Sequence, residues 1–401
     1  MIPPRALVVL YLTTAHISLA GAFALTAWNP YAVAGFFYHS RMVAIVHLIT
    51  IGWIAMSVLG MVYVVVPMTF GVALAARKAD YVAYALAVIG LIGMVAHFWL
   101  AEFSGMAWSA ATAGAGIAYV VVRLARHLRS AKVPGGVKLH VYFASLNILA
   151  AMTMGVLLGF DKVHHFLPGY VLSNVFAHAH LAAVGWVSMM VIGIAYRLLP
   201  MVIPAPSPAG GTIYVSALLL QAGITGLFIS LLLQSALAPL FAGLVISGFA
   251  TAGAHVVWML NRRRTASPGT GWRVFAVGHI AAAGVWLLCA CVFGLVLTAA
   301  PMTDMTLRAA FAYGVFGLVG FLAQIIVGFE VHVLPTVAAY WSLPRDGSAK
   351  PVHNELQRLK GLPGRYISAA GVRGAGIADC VGDARAQASA AAGYARNRMS
   401  G

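Results

Sequence analysis

Apolar runs of about 20 residues recur along this chain between short polar or basic connections, and ten are long enough to cross a hydrocarbon layer as helix. They fall near residues 5–28, 42–68, 80–101, 104–122, 139–160, 171–201, 212–233, 236–259, 272–298 and 307–335. Unpaired backbone groups are too costly to expose to lipid, so each run predicts a continuous helix. The expected fold is all-α, a polytopic bundle of transmembrane helices. Met1 to Trp28 reads as a full first span rather than a separate cleavable signal.

The connections alternate in charge. Arg5, Arg77, Lys78, Arg123, Arg126, Arg129, Lys132, Lys138, Arg197, Arg262, Arg263, Arg264 and Arg273 fall on one side, against Arg41, Lys162 and Arg308 on the other. The positive-inside rule then places the N-terminus in the cytoplasm, with odd-numbered spans running outward and even-numbered spans inward. A multi-pass protein of a bacterial-type inner (plasma) membrane is expected. After Leu343 the composition turns to Ala, Gly and Arg with no further apolar run. Residues 345–401 are therefore expected to form a weakly structured cytoplasmic tail. So abrupt a shift is also what a truncated or out-of-frame reading frame produces.

The second and sixth spans share a pattern at a spacing of 133 residues. His47, Leu48, Gly52, Trp53, Met56, Gly60, Tyr63 and Pro67 match His180, Leu181, Gly185, Trp186, Met189, Gly193, Tyr196 and Pro200. A further shift of 135 residues reaches Gly320, Phe321, Gly328 and Pro335 in the tenth span, where Val315 replaces the histidine. Units near 5–125, 139–260 and 272–344 result, within a membrane domain 1–344. Four spans per unit predict a pseudo-threefold bundle with spans two, six and ten at its centre. The third unit holds two spans fewer than the others. The glycines are expected to pack helices, Trp53 and Trp186 to be structural, and the prolines to end the helices near the cytoplasmic face.

Composition removes the competing classes. Of 401 residues, 62% are hydrophobic and 8% charged, with a mean hydropathy of +0.91. A soluble globule needs about a quarter of its residues charged. The net charge of +16 sits in the connections, where topology explains it, so no nucleic acid partner is expected. Cys289, Cys291 and Cys380 imply no disulfide framework, and the first two point apart on one helix. Sixteen methionines raise cuprous copper. Met56, Met61, Met189 and Met190 nevertheless have the spacing of packing residues.

The histidines carry the chemistry. Seven of the fourteen, His39, His47, His97, His164, His165, His178 and His180, fall at or near the outer edge. His47 and His180 share a height on helices of one direction, a geometry suited to axial ligation of one haem iron from both sides. Polar residues inside spans are functional candidates, with structural bonding or a wet cavity as the alternative. His178 and His180 lie about 200° apart around a helix and so face different sides, which lets one helix serve two centres. His164 and His165 adjoin the outer end of the fifth span, where they form either a copper or non-haem iron site or a solvated loop. His97 with Glu102 is a weaker pairing, and His16 lies mid-span. His127, His140, His255, His279, His332 and His353 read as structural, with Glu330 near His332 a carboxylate able to admit protons.

The stretch FAHAHLAAVGWVSMMVIGIAYRLLPM resembles the two-histidine helix of the haem-copper oxidase superfamily catalytic subunit, above all in C-type oxidases and nitric oxide reductases. RMVAIVHLITIGWIAMSVLGMVYVV resembles that family's second helix. The resemblance implies a low-spin haem b on His47 and His180 and a second, high-spin haem on His178, with copper or non-haem iron beside it. The family has twelve spans and carries H-x-H on the tenth, eight helices after the second. Here the motif follows by four, so the chain is similar to a short relative such as the NnrS family of haem- and copper-containing membrane proteins linked to nitric oxide. The implied function is electron transfer with oxygen or nitric oxide reduction at an outer-side centre. The implied partners are membrane lipid, a diatomic gas and a cytochrome c-type donor subunit, since this chain has no C-x-x-C-H. The alternatives are a non-catalytic haem or copper binding or transport protein, and an inactive product that retains no haem.

Overall fold

The computed structural model describes residues 3–34, 36–264 and 271–341. The stretch 345–401, with His353 and Cys380, lies outside the described residues. Among the described residues 84% are helical and none lies in a strand, and ten of the helices are long and apolar enough to cross a membrane. These are α1 (Arg5–Trp28), α2 (Ser40–Phe70), α3 (Lys78–Leu100), α4 (Met106–Leu128) and α5 (Gly135–His164), followed by α6 (Val171–Val202), α7 (Thr212–Leu232), α8 (Ala238–Asn261), α9 (Gly271–Ala299) and α10 (Asp304–Ala338). The protein is a polytopic helical membrane protein.

Helix ends depart most from the apolar runs where basic residues follow. α4 continues six residues past the run that ends at 122, through Arg123, Arg126 and His127. Long basic side chains reach polar surroundings from a helix that is still embedded, so the helix need not end where the basic residues begin. α2 ends at Gly71, whose φ of +66° suits a residue without Cβ. Pro67 and Pro200 sit inside the last turn of α2 and α6, which stop three and two residues later.

Apolar residues cover the outside in helical rows, such as Ile89 with Ile92 and Val285 with Leu288, each more than 60% exposed. Such rows are a liability in water and no cost in lipid. Inside, small residues set the helix contacts. A Cβ on Gly90 of α3 would overlap the backbone of Ala113 on α4, and one on Gly223 of α7 would lie 2.6 Å from the amide of Val245 on α8. The hairpins α3–α4 and α7–α8 are the most closely packed pairs.

The three inner helices share a feature that apolar composition does not announce. Each contains an eight-residue π-helical segment: Leu48–Ala55 in α2, Leu181–Ser188 in α6 and Phe316–Ala323 in α10. Each segment packs on the helix that begins its unit, α1, α5 and α9 respectively. The contact is made at a glycine: a Cβ on Gly52 would meet Ser18 at 2.5 Å, on Gly185 Asn147 at 2.9 Å, and on Gly320 Trp286 at 2.6 Å. The π segment of α10 also touches those of α2 and α6.

Buried polar groups tie the elements together. Asp80, fully buried, pairs with Arg123 and accepts from the Tyr63 hydroxyl at 2.8 Å and the Arg77 amide at 2.6 Å. Arg123 also donates to the Ala75 carbonyl at 2.6 Å. Counted by sequence among the loop charges, Arg123 is instead 7% exposed, a structural cation drawn inward by Asp80. Glu330 of α10, 6% exposed, lies 3.4 Å from His16 of α1, which joins the first unit to the third.

Candidate cofactor site between the inner helices

Each π segment begins at the same landmark. His47 immediately precedes the first, His180 the second and Val315 the third. π segments occur often at functional sites, because the extra residue redirects the side chains beside it.

In His47 and His180 the ring Nδ1 lies 2.8 and 2.7 Å from the carbonyl four residues earlier, Val43 and Phe176. In His178 it lies 2.9 Å from the Ala151 carbonyl of α5. A carbonyl only accepts, so Nδ1 carries the proton in all three rings and Nε2 keeps its lone pair. That is the tautomer a metal ion requires. His16, His127 and His140 make the same bond to Leu12, Arg123 and Gly136, so the tautomer by itself selects nothing. Position does: His47 and His180 each stand at the start of a π segment, and both, like His178, are half-buried.

The two histidines of H-x-H engage opposite neighbours, as their rotation around the helix requires. His178 leans on α5, where a Cβ on Gly155 would come within 3.0 Å of its Cε1, and lies within electrostatic reach of His47. His180 turns to α10. Its Nε2 is 2.9 Å from the Tyr313 hydroxyl, and the two rings stack at 5.8 Å with 22° between planes. Tyr313 stands two residues before Val315 as His178 stands two before His180, so it takes the place of the first histidine in the third copy. Aromatic rings pack beside these helices: Phe98 stacks on His47 at 5.1 Å, and Phe37 stacks on Phe176 at 6.1 Å.

Compared with known proteins, the chain matches no family model and no curated sequence. Its own geometry is what bears on function.

His39, His97, His164 and His165 lie at helix ends. His164 ends α5, and His165 caps it in the left-handed conformation with φ of +49°; both are exposed. Among the described residues, no three His, Cys, Asp or Glu side chains group in a way that suits a metal ion. His97 bonds the backbone carbonyl of Glu102 rather than its carboxylate. That carboxylate accepts from the Ser104 hydroxyl and amide, bonds that hold it below the usual carboxylate range. His39 is exposed just before α2.

Sequence reasoning missed Tyr313, although the register of 135 residues already sets it opposite His178, because a tyrosine in an apolar run carries no mark of its partner. It also missed Asn147, whose amide donates to the Gly185 carbonyl inside the second π segment and to Gln221, both at 2.9 Å. Trp53 and Trp186, taken as structural, are 5% and 3% exposed, and each buries an indole N–H that has no acceptor.

Proposed function

We propose that this protein binds b-type haem between α2 and α6, on His47 and His180, for electron transfer, and that His178 would hold a second haem with a position open to a diatomic gas. The observation that carries the reading is the equivalent placement of His47 and His180 before the first two π segments, each with Nδ1–H committed to a backbone carbonyl, an arrangement of the proton that His178 shares. The donors fit the group. When bound, haem supplies one-electron redox chemistry and an iron to which a gas can bind.

The chain's own residues do the rest. The Val43 and Phe176 carbonyls fix ring orientation and hold the proton at Nδ1, which raises the basicity of Nε2. The Phe37–Phe176 and His47–Phe98 stacks exclude water from the outer approach. Tyr313 keeps the His180 lone pair paired by donating to Nε2, and this bond must open for His180 to ligate. His178, on the opposite face of the same helix, is the imidazole available to a second haem.

A second ligand pairing, His47 with His178, is favoured by the engagement of His180 with Tyr313. The reduced-minus-oxidised spectrum of single alanine variants separates the two. Loss of the low-spin band in His47→Ala and His180→Ala, with retention in His178→Ala, supports the first pairing. An intact band in His47→Ala removes the haem assignment altogether. Reduction of oxygen or nitric oxide, which the resemblance implies, is tested by gas consumption of the purified, chemically reduced protein. Haem content without turnover marks a binding or transport protein instead.

A further inference from the structure

The seam between α4 and α5 opens into a groove of about 360 Å³ on the face of the bundle. At its polar end stand Arg126 and Arg129, both exposed, and neither has a carboxylate within ion-pair distance among the described residues. The Lys138 ammonium lies 3.3 Å from the Arg129 carbonyl, which brings a third cation to the same rim. Further along, the walls become apolar. Val122 and Ala125 on α4 face Leu146 and Leu149 on α5, with Tyr142 between the basic rim and the apolar run. Leu146 is 56% exposed, so the groove opens sideways to lipid.

We infer that this groove is a binding site for one anionic phospholipid, its phosphate held by Arg126 and Arg129 and an acyl chain laid over Leu146 and Leu149. The charge complementarity is direct. A guanidinium pair presents a fork of donors matched to phosphate oxygens, and unpaired cations at the membrane surface attract anionic headgroups. The apolar continuation argues for a lipid rather than a free anion, which would use the rim alone. Tyr142 has the amphipathic character found at headgroup depth. Unlike the haem site, this site needs no cofactor.

The test uses the full chain purified in detergent and offered equal amounts of phosphatidylglycerol and phosphatidylcholine with the same acyl chains, with retained lipid counted by native mass spectrometry. The wild type is expected to retain phosphatidylglycerol at least fivefold over phosphatidylcholine. Arg126→Gln/Arg129→Gln is expected to lose that preference, while Arg263→Gln/Arg264→Gln, with the same change in charge elsewhere, keeps it. Leu146→Trp fills the groove without altering charge and is expected to lower retention of the bound lipid. The proposal is overturned if the wild type shows no preference, if both double variants lose it equally, or if inorganic phosphate displaces the lipid.

Discussion

The Tyr313 hydroxyl lies 2.9 Å from Nε2 of His180, on the one ring atom of that histidine able to bind a metal. A residue of the third unit thereby controls a donor of the second. The bond satisfies a lone pair that would otherwise be left unmade in a low-dielectric interior, where an unpaired polar group costs about 1–3 kcal/mol.

Tyr313→Phe removes the donor and keeps the ring. If His180 is an axial ligand, Tyr313→Phe is expected to bind haem more tightly, because the competitor for Nε2 is gone. If His47 and His178 form the pair, haem affinity stays where it is. Haem titration of the two proteins decides.

Asp80 and Arg123 are expected to dominate the stability of the first unit. Removing one partner of a buried ion pair leaves the other uncompensated, at about 3–5 kcal/mol. Asp80→Ala should therefore unfold at markedly lower temperature or denaturant in detergent, as followed by circular dichroism. An unchanged midpoint would mean that the pair is replaced by water.

Glycine tolerance should follow the helix contacts. Gly90→Leu is expected to disrupt the α3–α4 hairpin, because even a Cβ overlaps the Ala113 backbone. Gly284→Leu, where nothing lies within 4 Å, should leave thermal stability unchanged. Equal losses in the two variants would contradict this packing.

Asn147→Leu is expected to cost about 1–3 kcal/mol by leaving the Gly185 carbonyl and the Gln221 side-chain oxygen without their donor. Because Gly185 lies in the π segment that follows His180, the same variant should broaden or shift the haem spectrum. A stability loss with an identical spectrum would separate the π segment from the site.

Much of this protein is legible along its chain, and the division has a physical cause. The ten spans follow from composition alone, since a bilayer demands long, internally hydrogen-bonded apolar segments wherever they pack. The repeat that pairs His47 with His180 is likewise a property of spacing. What each ring does is not, because it depends on neighbours far away in sequence. His180 meets Tyr313 across 133 residues, and His178 meets Ala151 across 27. Arg123 reads as a loop charge until Asp80, 43 residues earlier, appears beside it. The π segments need one more residue per turn than an α-helix, and apolar side chains of either geometry look the same in sequence. The chain by itself determined which segments enter the membrane; tertiary packing alone decided which polar atoms inside it are paired and with what.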